Sequence, residues 1–263
     1  MSAAVAPRGT ERRLSVRFAR DATDLAAVQH LRWQVFMGEL GAAGDGALGQ
    51  IDSDPFDELC DHLLVSDLDV ATGAETVVGT YRLLRGKVAR RHGGFYSARE
   101  FDLTRLKRHA RGSGDLLELG RSCVLPAYRT SHTISLLWRG IAEYLSLHTI
   151  GAMFGCASFQ GTDPDAHAAS LSYLAHHCLA SADQRPGVLS GCGIALERVQ
   201  PGAYDERAAL FGLPPLIKGY LRAGARFGDG AFVDHEFRTI DVCVVLPIER
   251  LSGRYASRFN VAA

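Results

Sequence analysis

Apolar positions change their spacing repeatedly along this chain, and each change of spacing marks an element. LSVRFA (14–19) alternates as an edge strand does. In DATDLAAVQHLRWQVFMGEL (21–40), Leu25, Val28, Leu31, Val35 and Phe36 recur every three or four residues, which predicts a helix capped by Asp21 or Thr23, with Arg32 beside its buried stripe. DHLLVSDL and ETVVGTYRLL, joined by DVATGA, read as a β-hairpin. LLELGRSCV (116–124) is an apolar strand with Glu118 and Arg121 in its middle. It breaks at Pro126 and leads into a long amphipathic helix, then into a second apolar strand ending near Phe159. AHAASLSYLAHHCLA reads as a helix capped by Asp163 or Asp165, and Pro186 to Gly193 as a break. PPLIKGYLRAG is a helix ending near Gly224, Gly228 to Gly230 a turn, and FRTIDVCVVLPI a buried strand.

This order of elements gives an α/β (α+β) class: a mixed sheet flanked by helices, with an antiparallel hairpin feeding a strand–helix–strand crossover and a C-terminal extension. Residues 1–13 are small and polar and read as a disordered tail, leaving 14–263 as one domain. A hydrophobic content of 47% over 263 residues is enough for one sizeable core. GAAGDGALG (41–49) is flexible by composition, and the acidic IDSDPFDELCD after it makes a connection long enough for a lid or for disorder. No stretch approaches the roughly 18 apolar residues of a membrane span, and no secretory h-region is present, so the expected location is cytoplasmic or peripheral on a membrane face. The six cysteines form no CxxC pair, and several lie in apolar strands, which reads as reduced core thiols.

Net charge is zero, but it is unevenly spread. Arg82, Arg85, Lys87, Arg90, Arg91, Arg99, Arg105, Lys107, Arg108 and Arg111 face only Glu100 and Asp102 in the same stretch. Such an excess steers an acidic carrier protein, anionic lipid or nucleic acid, or is a solvated basic loop anchored by Phe95 and Phe101. A charge within a buried strand costs several kcal/mol (about 3–5 when left without its partner) unless it is paired or used, so Glu118 needs a role. His167, His176 and His177 lack a zinc spacing and read as exposed or capping residues. Ser158 and Cys156 have neither a GxSxG setting nor a paired histidine, which argues against a covalent acyl-enzyme. Trp33, Trp138, Phe154 and Phe159 read as core, with some of them available to line an acyl tunnel.

ELGRSCVLPAYR, the helix with LLWRGIAEYL, FGCASFQGTDP, LSYL, LPPLIKGYLRAGA and FRTIDVCVVLP together resemble the hemolysin-like branch of the GNAT superfamily formed by L-ornithine N-acyltransferases. The likeness runs from about Leu14 to Leu246. More distantly, Arg32, Phe36, Asp54, Asp57, Arg82, Phe101, Glu118 and Arg121 occur in the order shown by acyl-homoserine-lactone synthases. The resemblance implies a GNAT-like sheet with a splayed central strand pair. It also implies attack of an amino acid's α-amine on the thioester of a 3-hydroxyacyl carrier protein, with no metal and no bound cofactor beyond the phosphopantetheine thioester of acyl-ACP as co-substrate. The basic region Arg85 to Arg111 then gains an acidic acyl carrier protein as partner, the same charges serving for peripheral membrane contact, with no role for nucleic acid.

Such a reaction needs an uncharged amine, donors for the oxyanion and a proton for the leaving thiolate. Glu118 is the candidate base, directly or through a water; the alternative is an ion pair with Arg121 or Arg82. Strict alternation puts Glu118 and Arg121 on opposite faces, and a bulge at Gly120 brings them to one face while freeing backbone N–H groups between Gly120 and Cys123 as oxyanion donors. The turn YRTSHTIS keeps Arg129 but lacks the glycines of a pyrophosphate loop, which favours a carrier protein over coenzyme A. Cys123, Val124, Arg129, Ser131 and Thr133 are the expected pantetheine contacts, with helix capping by Thr130 or Ser131 as the alternative. Arg32 with Asp54 or Asp57, together with Arg82 and Ser158, is the expected acceptor site; a lid held by salt bridges is the other reading, and Asp163 a second choice for a distal ammonium.

Overall fold

The computed structural model describes residues 13–42, 49–69, 72–191, 193–251 and 253. Residues 1–12 of the expected tail (1–13), most of the Gly-rich stretch (43–48) and Cys192 lie outside the described residues, whereas Arg13 opens β1. The chain runs β1 (Arg13–Phe18), α1 (Ala22–Trp33), β2 (Asp61–Leu68), β3 (Glu75–Arg85), α2 (Gly86–Ala89), β4 (Phe101–Asp102), α3 (Thr104–His109) and β5 (Asp115–Val124). It continues α4 (Ser131–Leu147), β6 (Ile150–Gln160), α5 (Ala168–His177), β7 (Gly187–Val188), β8 (Gly193–Ile194), α6 (Glu206–Gly212), α7 (Pro215–Ala223), β9 (Arg226–Asp234) and β10 (Thr239–Pro247).

Alternating apolar residues in β2 and β3 pair antiparallel, and β5 joins the hairpin on its β3 side. The crossover through α4 then sets β6 parallel to β5. The sheet order is β1-β2-β3-β5-β6-β10-β9-β7-β4, with β8 on β9. Helix α4 buries Leu136, Leu137, Trp138, Ile141 and Tyr144 in the larger core, which also takes residues of α5 and α7. Helix α1 crosses β2, β3 and β5, with Leu31 and Val35 packed against Cys123. The region after β3, for which a solvated basic loop is one of two readings, is folded: α2, α3 and the buried Phe95, Phe101, Leu103 and Leu106 form a second core with Leu84, Leu116 and Phe154.

Asp21 accepts from the Thr23 and Asp24 amides and starts α1 as expected, but the helix widens into a π-helical turn at Gln34–Glu39. Helix α5 has no side-chain cap: Asp163 accepts from the Asp165 amide, and Asp165 pairs with Arg198. Gly228 and Gly230 do not make a turn. They lie inside β9, where three residues oppose Cys243 alone in a bulge, and Gly230 has φ +84°. The described cysteines, Cys60, Cys123, Cys156, Cys178 and Cys243, are free thiols.

β5 and β6 pair only from Asp115 to Glu118, opposite Ile150 to Phe154, while along its other edge β6 pairs with β10 from Ala152 to Gln160. Gly155 lies at this parting: a Cβ there would sit 2.1 Å from the Leu119 carbonyl oxygen. Because that neighbour is backbone, Gly155→Ala must push the two strands apart, and it is expected to lower stability by about 1–3 kcal/mol in urea unfolding, with the midpoint shifted and the slope unchanged.

Candidate active site

The parting of β5 and β6 opens next to a β-bulge. Thr80 faces Cys123 and Arg82 faces Gly120, so Tyr81 alone spans Arg121 and Ser122. The bulge therefore falls one residue after Gly120, and Arg121 takes the left-handed conformation, φ +48°. The phase shift brings Arg121 to the side that Glu118 faces: its guanidinium lies 4.9 Å from the Tyr96 ring centroid, while Glu118 accepts from the Tyr96 amide.

Arg121 belongs to a buried set of alternating charges. Arg32 reaches Asp52 at 2.7 Å and Asp57 at 2.8 Å; Arg82 reaches Asp54 at 2.7 Å and Asp57 at 2.9 Å. Arg121 closes the set on Asp54 at 3.1 Å and Asp52 at 3.2 Å. Three arginines thus balance three aspartates, and the pairing to Arg32 and Arg82 holds the Asp57 carboxyl well below the ordinary range despite its burial. The acidic segment after the Gly-rich stretch is accordingly fixed in place by ion pairs. Arg32 is fully buried and Asp57 nearly so, and both are saturated, which removes them from the acceptor site and favours the salt-bridged reading.

Glu118 is also spoken for. Its carboxylate accepts from the Tyr96 amide at 2.9 Å, the Ser97 amide at 2.8 Å and the Ser97 hydroxyl at 2.5 Å. Burial pushes its pKa up and these donors pull it down. Neither an ion pair with Arg82 or Arg121 nor a base facing the cavity describes it: Glu118 anchors the turn that carries Tyr96 and Glu100.

That turn roofs a cavity of about 210 Å³ between the parted strands, lined by Arg82, Tyr96, Glu100, Arg121, Ser122, Cys156, Ser158, Asp234, Thr239 and Asp241, with Phe36, Leu40, Leu216 and Phe237 at its apolar side. Of the expected site residues, Arg82, Arg121 and Ser158 reach it, whereas Glu118, Arg32, Asp57 and Asp163 do not. Glu100, Asp234 and Asp241 were not anticipated. Asp241 sits within the apolar TIDVCVVL, the same signal that marked Glu118. Burial pushes Glu100 up to about 8 and Asp241 up to about 6, with each acid reinforced by its acidic neighbours. Glu100 accepts from the Cys156 thiol at 3.3 Å, and burial holds that thiol well above its ordinary pKa. Among the described residues, Glu100, Cys156 and Asp241 are the one group of potential metal ligands that come together, within 4.8 Å. A protonated thiol is a poor ligand for a soft ion.

The expected phosphate contacts fare unevenly. Arg129 is bound through both terminal nitrogens to Glu39, the shorter bond 2.5 Å, and through Nε to the Val124 carbonyl. Thr130 caps α4 through the Thr133 amide, Thr133 is fully buried, and Cys123 packs under α1. Only Ser131 is exposed and uncommitted to that cap. The histidines are engaged elsewhere: His167 with the Gln160 carbonyl, His176 with Tyr204 and His177 with Glu206. Beside the parting, Leu119, Met153, Phe154, Gly155, Tyr220, Val244 and Leu246 enclose an apolar pocket of only about 10 Å³.

Removing one charge from the balanced set leaves Arg32 and Arg82 facing an uncharged amide, so Asp57→Asn is expected to cost about 3–5 kcal/mol in urea unfolding. The pH dependence has two limbs. Asp57, depressed when folded, contributes stability above about pH 4 that disappears as pH falls; Glu100 and Asp241, raised when folded, cost stability as pH climbs from about 4 toward 8 and 6. The ligand-free protein is therefore expected to be most stable in mild acid, and Glu100→Gln to flatten the decline toward pH 8 in thermal melts across that range.

Residues 31–139 match the family model for an acetyltransferase (GNAT) domain. The chain is 47% identical over 253 residues to the L-ornithine N(alpha)-acyltransferase of Brucella abortus, covering 95% of this chain and 90% of that protein. It is 43% identical over 246 residues to the enzyme of the same name from Rhodobacter capsulatus, covering 91% and 92%. Solved structures that resemble it include the AHL synthase LasI, with a TM-score of 0.46, 15% identity and 93% and 96% of the two chains covered, a likeness too shallow to bear on function. A charged cavity where two parallel strands part, in a chain so close to these acyltransferases along nearly its whole length, places the protein in the L-ornithine N(alpha)-acyltransferase family of GNAT enzymes.

Proposed function

We propose that the enzyme acylates the α-amine of L-ornithine with a 3-hydroxy fatty acyl group delivered as a thioester on acyl carrier protein, giving a lyso-lipid. The observation that carries this reading is the cavity at the parting of β5 and β6, with arginines along one wall and carboxylates along the other, in a chain whose relatives bear the name of that reaction. A zwitterionic amino acid with a second ammonium suits such a site. In the reaction the neutral amine nitrogen bonds to the thioester carbon, the C–S bond breaks, and the proton lost by nitrogen ends on the pantetheine sulfur. The ladder from β5 to β6 stops at Glu118, so amides of the Gly120 to Cys123 stretch are the candidate donors for the oxyanion. Arg121, which lines the cavity while its Nε lies 3.2 Å from Asp52, is the candidate donor for the acceptor's carboxylate.

A carrier protein is acidic, and Lys87, Arg90, Arg91, Arg99, Arg105, Lys107 and Arg108 are exposed together on the segment between β3 and β5. Arg82 is not part of this face, because it is buried in the ion-pair set. Lys87, Arg90 and Lys107 border an open cavity of about 570 Å³ that offers a docking depression. No helix among the described residues is long and apolar enough to cross a membrane.

Incubation with 3-hydroxyacyl carrier protein and a panel of free amino acids, read by mass spectrometry, is expected to give acyl-ornithine with release of one thiol per amide. Absence of any acylated amino acid would sink the reading. Lys87→Glu with Arg91→Glu is expected to raise KM for the acyl carrier protein about tenfold and weaken its salt dependence, with kcat little changed.

A further inference from the structure

We infer that Asp241 and Glu100 form the seat for the distal ammonium of the acceptor amino acid, selecting a cationic side chain over a neutral one of the same length. The inference rests on the function proposed above and deepens it.

Asp241 lies on β10 opposite Ser158 of β6 and is 7% exposed, within the cavity wall. The Ser158 and Thr239 hydroxyls lie close enough to pull its pKa down, yet its Oδ1 has no hydrogen-bond partner. A buried acceptor left without a donor costs about 1–3 kcal/mol, and a ligand that supplies the donor recovers it. An ammonium brings three donors and a full positive charge.

Charge balance points the same way. The three arginines facing this cavity or lying behind it are matched one for one by Asp52, Asp54 and Asp57. Glu100, Asp234 and Asp241 form no ion pair with any described residue. Asp234 is satisfied by the Glu236 and Phe237 amides, each at 2.8 Å, which leaves Glu100 and Asp241 as the unmatched acids. Their carboxylate oxygens come within 4.8 Å of each other, a spacing that one ammonium bridges. The third member of that group, the Cys156 thiol, donates to Glu100 and stays protonated, which favours an ammonium over a thiolate-bound metal. With a carboxylate on Arg121 and an ammonium on Asp241, both charged ends of the acceptor lie in one cavity and the α-amine falls between them.

The test compares kcat/KM for ornithine with that for norvaline, which has the same carbon chain without the ammonium, in the wild type, Asp241→Asn and Glu100→Gln. The wild-type ratio is expected to be about a hundred or more, and each variant is expected to cut it at least about tenfold. A variant that slows both substrates equally, leaving the ratio unchanged, would assign these acids to general base catalysis or to folding and overturn the inference. So would a wild type that uses norvaline as well as ornithine, a result that decides the matter even where Asp241→Asn fails to fold by circular dichroism. Activity lost to EDTA and restored by a divalent ion would give the site to a metal instead. If the wild type acylates no amino acid at all, the proposed function falls and takes this inference with it; acylation without discrimination overturns the inference alone.

Discussion

Six alternating charges, packed beneath the first helix, set the geometry on which the cavity depends. Arg32, Arg82 and Arg121 come from a helix and two neighbouring strands, and Asp52, Asp54 and Asp57 come from one loop that binds all three. Buried pairs of this kind contribute little net stability compared with apolar side chains of the same volume. Their effect here is positional. Each arginine is fixed by acids from the same six-residue stretch, 52–57, so helix, hairpin and central strand cannot shift independently. Arg121 is held in a left-handed backbone conformation that a non-glycine residue adopts at a cost, with the Tyr96 and Phe237 ring centroids 4.9 and 4.5 Å from its guanidinium.

From that fixed bulge the remaining architecture of the site follows. The strand ladder between β5 and β6 ends at Glu118 while β6 stays paired with β10 along its other edge, and the space between the parted strands becomes the cavity. Glu118 itself, saturated by three donors from Tyr96 and Ser97, holds down the turn that roofs the cavity and delivers Glu100 to it. Residues of one chemical type therefore take three different states within a few ångströms. Asp57 is held ionised by its arginines, Glu118 is pushed up by burial against the pull of its Tyr96 and Ser97 donors, and Glu100 and Asp241, without an ion pair, are pushed up by burial. Burial raises all four, and the charged partners and donors within reach separate them.

Most of the secondary structure was legible in the residues, because alternation and three-to-four spacing are local properties. The hairpin, the crossover and the family likeness all come from such stretches. Local rules failed where a turn and a bulge share a composition: GDG at 228–230 has the residues of a turn but opposes a single cysteine inside a strand pair. They also misplaced the central bulge by one residue, because Gly120 is the permissive residue, while Arg121 is the one that ring and carboxylate contacts compel.

A charge in an apolar strand told the sequence reader that Glu118 and Arg121 matter, and the same rule applied to TIDVCVVL would have marked Asp241. Sequence alone determined most of the strands and helices, the family, and that Glu118 and Arg121 have a purpose. Which purpose each one has was decided only in three dimensions, since Glu118 meets its donors 21 and 22 residues away and Arg32 its acids 20 and 25 away. Pairing across such distances depends on how helices and loops pack on the sheet, and no periodicity within a segment encodes it.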